Sequence, residues 1–210
     1  MLADLEPMLA DRGLPRGELG GWAAEPKLDG WRVLVTVDPA LPGGVVVRTR
    51  RGHPITDRLA GIDALTSLGR RVVLDGELVA GAGTASEFYG LLPRIARRRH
   101  DTAPGPVSIW VFDLLWLDDE ALLGAPYVER RARLEALGPA GPVRVLPRYP
   151  GGVALDLLAA CAEHDVEGIV LKRLRSIYRP GERTRHWRKV KTAAWSTVHR
   201  PLRGPQEPPV

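Results

Sequence analysis

Short runs in which apolar residues alternate or cluster, broken by glycine and proline, dominate this chain and predict β-strands joined by turns. Residues 22–25 form the first. The valine-rich stretches 32–37 and 45–48 form the next two, around a turn at 38–44 with two prolines and two glycines. Residues 71–80 run Val72-Val73-Leu74 into Asp75-Gly76-Glu77 and on to Leu78-Val79. Residues 107–115 predict a long apolar strand carrying Trp110 and Phe112, 143–146 a short one, 168–174 another, and 187–191 an alternating edge strand. Four segments predict helices: 55–68 with Thr56 as N-cap, 86–100 ending in Arg97-Arg98-Arg99, 126–137 with Pro126 near its start, and 155–163. Residues 1–21, 81–84, 101–106 and 175–185 predict irregular segments, and the stretch from residue 200, with four prolines, a tail. The strands come in hairpin-like clusters rather than in strict βαβ alternation. The predicted class is α+β, with antiparallel β-sheets flanked by helices.

With 210 residues, the chain holds one large domain or two small ones. No apolar run is long enough to span a membrane. The N-terminus carries Asp4, Glu6 and Asp11 and lacks the basic start and apolar block of a secretory signal. A single cysteine, Cys161, has no internal disulfide partner, which predicts a reducing, cytoplasmic setting. The net charge of +5 comes mostly from arginine, whose planar fork suits phosphate partners.

The most informative stretch is Glu25-Pro26-Lys27-Leu28-Asp29-Gly30-Trp31-Arg32, one lysine between acids, next to a glycine and an arginine. A protonated lysine is a poor nucleophile, and burial or neighbouring positive charge makes the neutral amine reactive. An acid on either side can place the amine and help recruit a metal. Gly30 permits a tight turn or a close approach to a ligand.

This pattern resembles the nucleotidyl-lysine motif E-x-K-x-D-G-x-R of ATP-dependent DNA ligases and their relatives. Later stretches fit the same family in the same order. Asp75-Gly76-Glu77 resembles its D-G-E motif, Phe112-Asp113-Leu114-Leu115 its aromatic motif, Glu167-Gly168-Ile169-Val170-Leu171-Lys172 its E-G motif, and Trp187-Arg188-Lys189-Val190-Lys191 its closing K-x-K motif. Thr49-Arg50-Arg51-Gly52 is a looser match to S-R-x-G. Ser176-x-Tyr178-x-Pro180-Gly181 points to the bacterial enzymes. RNA ligases and capping guanylyltransferases share the lysine motif and are the enzymatic alternative. A nucleotide- or DNA-binding module without turnover is the other.

The resemblance implies a nucleotidyltransferase (ATP-grasp-like) fold over residues 22–192, with a lead-in at 1–21 and a tail at 193–210. It implies that Lys27 attacks the α-phosphorus of ATP to form lysyl-AMP, which then passes to the 5′-phosphate of nicked double-stranded DNA in repair and recombination. Lys189 and Lys191, facing one side of a strand, would meet the α-phosphate and help hold Lys27 neutral. Asp29 would order Lys27 or assist sealing. Glu77 and Glu167 are implied for Mg²⁺ and the ribose, Phe112 and Val170 for the two faces of adenine, and Glu25, Arg32 and Arg50 as further nucleotide contacts. DNA ligases of this family carry an OB-fold domain after the closing motif. The roughly twenty residues after Lys191 are too few for such a barrel, so a separate OB-fold or repair protein is an expected partner.

Overall fold

The computed structural model describes residues 5–81 and 107–198. The helix expected at 86–100, the loop at 101–106 and the tail from residue 200 lie outside the described residues. Two β-sheets organise the rest. The first has the order β1 (Leu9–Arg12), β11 (Arg183–Lys191), β10 (Gly168–Arg173), β2 (Trp22–Lys27) and β9 (Tyr149–Pro150). The second has the order β4 (Val45–Thr49), β3 (Trp31–Val37), β5 (Val72–Ala80), β6 (Val107–Leu117) and β7 (Glu120–Ala121), with β8 (Val143–Val145) also on β6. Pairing is antiparallel except for β1 with β11 and β6 with β8. The expected α+β class with antiparallel sheets is what the chain adopts.

Period-two alternation sorts each strand's side chains onto two faces. On the second sheet, Trp31, Val33, Val35 and Val37 of β3 pack with Leu74 and Leu78 of β5 and Ile109 and Val111 of β6. Leu59, Ile62 and Leu65 cover that face, together with Leu134 of helix α1 (Tyr127–Leu137). Ala24, Ile169 and Leu171 line the outer face of the first sheet and pack with Ala154 and Cys161 of α2 (Ala154–Glu163). A short α3 (Ala193–Val198) follows β11. A third cluster, with Met8, Leu34, Val73, Phe112, Leu115, Leu146, Tyr178 and Trp187, joins residues of both sheets.

Five expectations change. The helix expected at 55–68 is two 3₁₀ segments, Thr56–Arg58 and Ile62–Leu68, because Gly61 at φ 72° interrupts it. Thr56 does not cap it; its hydroxyl accepts the Val47 N–H at 2.9 Å and ties the segment to β4. The lead-in is not wholly irregular: Leu9–Arg12 pairs with β11, which places β11 between β1 and β10 rather than at an edge. The basic stretch 175–185 already enters β11 at Arg183.

Candidate active site

The lysine motif bridges the two sheets. Glu25 and Lys27 close β2 in one, and Trp31 and Arg32 open β3 in the other. The link must pass tightly, and Gly30 allows it: a Cβ there would lie 2.3 Å from the Leu78 carbonyl oxygen. Gly168 plays the same part on β10, where a Cβ would lie 2.1 Å from the carbonyl oxygen of Val190.

A cleft of about 870 Å³ is lined by Glu25, Lys27, Arg32, Arg50, Glu77, Phe112, Val170 and Lys189, all expected from the sequence. Strand register accounts for much of this. Val170 lies opposite Glu25 on one side and Lys189 on the other, and Gly168 opposite Lys27 and Lys191. Alternation then places Lys27, Glu25, Val170 and Lys189 on one face. Across the cleft, Arg32 on β3 pairs in register with Glu77 on β5.

Glu167 and Lys191 do not line the cleft, but Glu167 is tied directly to Lys27. Lys27 Nζ donates to Glu167 Oε2, and Lys191 Nζ approaches Glu167 Oε1 at 2.8 Å. Asp29 is also outside the lining and acts on the site electrostatically, raising the pKa values of both Lys27 and Glu77.

The charges set the resting protonation states. Burial pulls the Lys27 amine down, but the Glu167, Glu77 and Asp29 carboxylates outweigh it and hold the amine above the ordinary lysine range. That shift favours the ammonium form of Lys27. Lys189 bears the opposite shift: burial, then the positive charges of Lys27, Arg183 and Arg12, lower it. Glu77 is pushed up to about 7, first by burial, against the pull of Lys27 and Arg32. Glu167 is lowered: its two lysine partners overcome the upward push of burial.

Arg32 is held rigidly. Its Nε and Nη2 donate to Asp75 Oδ1 and Oδ2 at 2.5 and 2.7 Å. Asp75 is buried and also accepts the Tyr178 hydroxyl at 2.6 Å. That hydroxyl in turn accepts the Met8 N–H at 2.9 Å. The guanidinium lies 4.4 Å from the centroid of the Phe112 ring.

The sequence did not single out Lys172, Tyr127, Arg131 or Asp75 as functional. Glu25 is buried, its Oε1 accepting from the Tyr127 hydroxyl at 2.5 Å and from Arg131 Nη1 at 3.2 Å, its Oε2 facing Lys172 Nζ at 2.7 Å. Lys172 lines the cleft and sits 4.2 Å from the ring centroids of both Phe112 and Trp187. The signals in the sequence were its place at the end of the stretch that matches the E-G motif and its position two residues after Val170, on the same strand face. Tyr127 and Arg131 come from α1, more than 100 residues from Glu25.

The donor set suits a hard cation. Glu77 makes no hydrogen bond among the described residues, and carboxylate oxygens with waters are what Mg²⁺ takes. No group of three or more His, Cys, Asp or Glu converges among the described residues. A cation here would thus complete its shell with water and ligand oxygens.

A family model described as the ATP dependent DNA ligase domain matches residues 7–191. The chain is 38% identical over 197 residues to the multifunctional non-homologous end joining DNA repair protein LigD of Mycobacterium tuberculosis (strain ATCC 25618 / H37Rv), covering 92% of this chain and 24% of that protein. It is 36% identical over 202 residues to DNA ligase 1 of Korarchaeum cryptofilum, covering 89% of this chain and 36% of that protein. The solved mycobacterial DNA ligase D complexed with ATP and MES superposes with a TM-score of 0.71 at 35% identity, over 91% of this chain and 61% of that one. Chlorella virus DNA ligase-adenylate shares the fold, with a TM-score of 0.60 at 19% identity, over 89% of this chain and 68% of that one. The chain thus spans about a quarter of the LigD relatives it matches.

Proposed function

The chain belongs to the ATP dependent DNA ligase domain family, and on that premise we propose that it forms a lysyl-AMP intermediate on Lys27 and passes the AMP to the 5′-phosphate of nicked double-stranded DNA. One observation carries this reading: the Lys27 amine, paired to Glu167, opens on the same cleft as Glu77, Arg32, Lys189, Phe112 and Val170.

In this reading Lys27 Nζ attacks the α-phosphorus of ATP. An N–P bond forms and the bond to the bridging oxygen breaks, releasing pyrophosphate. Phosphoryl transfer depends mainly on positioning and charge neutralisation. Lys189 and Lys191 supply positive charge at the α-phosphate, and Lys191 also shares Glu167. Phe112 and Val170 cover the faces of the base, with aromatic stacking worth about 1–3 kcal/mol. Glu25 meets the edge of the base, and Arg32 and Arg50 meet the ribose or phosphates. Asp29 orders Lys27. Glu77 and Glu167 would hold Mg²⁺, which supplies charge neutralisation to the phosphates. Before attack, Lys27 must shed a proton and leave Glu167.

The longer relatives, and the name of LigD, support a setting in DNA end joining or repair. We place the chain in the cytoplasm, working with an OB-fold or repair protein in cis or in trans for sealing. The test is intact mass after incubation with ATP and Mg²⁺. A gain of one AMP that vanishes in Lys27→Ala is expected; no gain at any ATP concentration overturns the reading.

A further inference from the structure

Past the closing motif the chain leaves β11 at Lys191 and turns at once into α3, which packs on α2. Trp195 of α3 is 8% exposed, and the Lys191 ammonium lies 5.6 Å from the centroid of its ring. The Lys191 side chain is itself 44% exposed. An ion pair so open to water is weak, and a lysine pays rotamer entropy to stay in it. The bond from Lys191 to Glu167 therefore needs a second support, and the Trp195 ring stands beside it.

Trp195 is in turn fastened to Glu167. The buried Thr192 donates its backbone N–H to the Glu167 carbonyl oxygen at 3.0 Å, and its hydroxyl accepts the backbone N–H of Trp195 at 3.2 Å. The contacts close on themselves. They run from the Glu167 carboxylate to the Lys191 ammonium, on to the Trp195 ring, from the Trp195 backbone to Thr192, and from Thr192 back to Glu167. Glu167 also accepts from Lys27, so the loop of contacts ends on the reactive amine. A tryptophan face attracts a cation more strongly than other aromatic faces do, and without the strict direction of a hydrogen bond. The ammonium stays close to Glu167 yet is free to tilt toward a phosphate.

Resting on the lysyl-AMP reading above, we propose that Trp195 is a positioning residue whose ring holds the Lys191 ammonium ready for the α-phosphate, so that the short helix after the closing strand sets the rate of adduct formation. Trp195 touches no reacting atom in this role. A cation held where negative charge builds up lowers the barrier more than it tightens ground-state binding. Loss of the ring therefore shows in the rate and little in KM. A tryptophan that only packed α3 on α2 would affect stability and leave the rate of the folded protein alone.

Adduct formation is followed by intact mass across ATP concentrations in the wild type, Trp195→Leu, Trp195→Phe, Lys191→Met and the double variant Trp195→Leu/Lys191→Met. Urea unfolding of the same proteins without nucleotide gives a second cycle. Trp195→Leu should slow adduct formation at saturating ATP about two- to five-fold, the scale of one cation–π contact, with KM for ATP changed by less than that factor. Trp195→Phe keeps an aromatic face and should retain most of the rate. With Lys191→Met in place, Trp195→Leu should cost nothing further in rate, and the two changes should couple about two- to five-fold in the unfolding equilibrium. A wild-type rate in Trp195→Leu, a KM effect as large as the rate effect, or a loss that persists undiminished without Lys191 overturns the proposal. If Lys191→Met makes no measurable adduct, the unfolding cycle decides, and additive effects overturn it. If Trp195→Leu fails to fold, Thr192→Val decides instead: it removes the hydroxyl that accepts the Trp195 N–H and should slow adduct formation likewise, and an unchanged rate overturns the proposal. Either failure in a protein that still forms the adduct strikes Trp195 alone. No adduct in the wild type sinks the lysyl-AMP reading and the positioning role with it.

Discussion

Replacing Tyr178 by Phe removes one oxygen from the middle of a chain of contacts that holds Arg32 over the cleft. The hydroxyl donates to the buried Asp75 at 2.6 Å and accepts the Met8 N–H at 2.9 Å, and Tyr178 is 2% exposed. A hydrogen bond to a charged group contributes about 1.5–3 kcal/mol, and an unsatisfied buried N–H costs about 1 kcal/mol or more. Asp75 keeps both contacts with Arg32, so the lower part of the range applies. The expected loss is about 2–4 kcal/mol, against a typical total of about 5–15 kcal/mol. For a domain of this size each kcal/mol lowers Tm by about 2–4 °C. Urea unfolding followed by circular dichroism gives the free energy, and a thermal scan the shift. Because Asp75 is the shared partner, Tyr178→Phe and Asp75→Asn should be strongly non-additive. In the functional readout, KM for ATP should rise more than kcat falls, since Arg32 keeps its charge and its two Asp75 contacts while Asp75 itself is held less firmly. A loss below about 0.5 kcal/mol, or single effects that add within about 0.5 kcal/mol in the double variant, would refute the reasoning.

Three further outcomes follow from the same structure. Glu77 has a folded pKa of about 7 against an ordinary value of 4.5, so the folded state holds the extra proton between these values and stability falls as pH rises through them. The difference corresponds to about 3 kcal/mol. Without divalent cations, Glu77→Gln should flatten the stability profile between pH 5 and 8, and parallel profiles for the two proteins would contradict the assignment. Asp113 and Arg130 are both fully buried and joined by two hydrogen bonds of 2.8 Å. Arg130→Met alone should cost about 3–5 kcal/mol in urea unfolding, and adding Asp113→Leu should recover much of it. Gly30→Ala forces a Cβ to 2.3 Å from a backbone oxygen and should cost at least about 2 kcal/mol, seen as a lowered urea midpoint with the slope unchanged.

The residues on one strand face could be read from the chain because the period of two is a local property. Glu25 with Lys27, Asp75 with Glu77, and Lys189 with Lys191 each share a face by spacing alone. What brings these pairs together is not local. Register sets Val170 between Glu25 and Lys189, and no property of residues 168–173 alone specifies that. The same limit hid Tyr127 and Arg131. They fall on a helix whose pattern of charge reads as solvated, yet Tyr127, Arg130 and Arg131 are buried. Residues 55–68 failed for a different reason: their apolar spacing fits a helix, but Gly61 in the left-handed region and the Val47–Thr56 bond favour two short turns. Strand β1 is only four residues long and is held by a partner more than 170 positions away, so nothing nearby announces it.

The resting electrostatics of the cleft also explain why so many opposite charges sit together. An amine surrounded only by lysines would lose its proton easily, but it would stand in a cavity of uncompensated positive charge, costly to bury. Here Glu167, Glu77 and Asp29 offset that charge and hold the Lys27 pKa above the ordinary lysine value. A triphosphate brings its own negative charge to Lys189 and Lys191. In the proposed reading it would compete with Glu167 for the lysines, and a divalent cation would compete with the lysines for the carboxylates. The triphosphate is itself an anion beside Lys27, so the amine's pKa would fall only where the cation takes up charge from both the carboxylates and the phosphates. On that reading the carboxylates that favour the ammonium are the groups a cation would have to engage before Lys27 could attack.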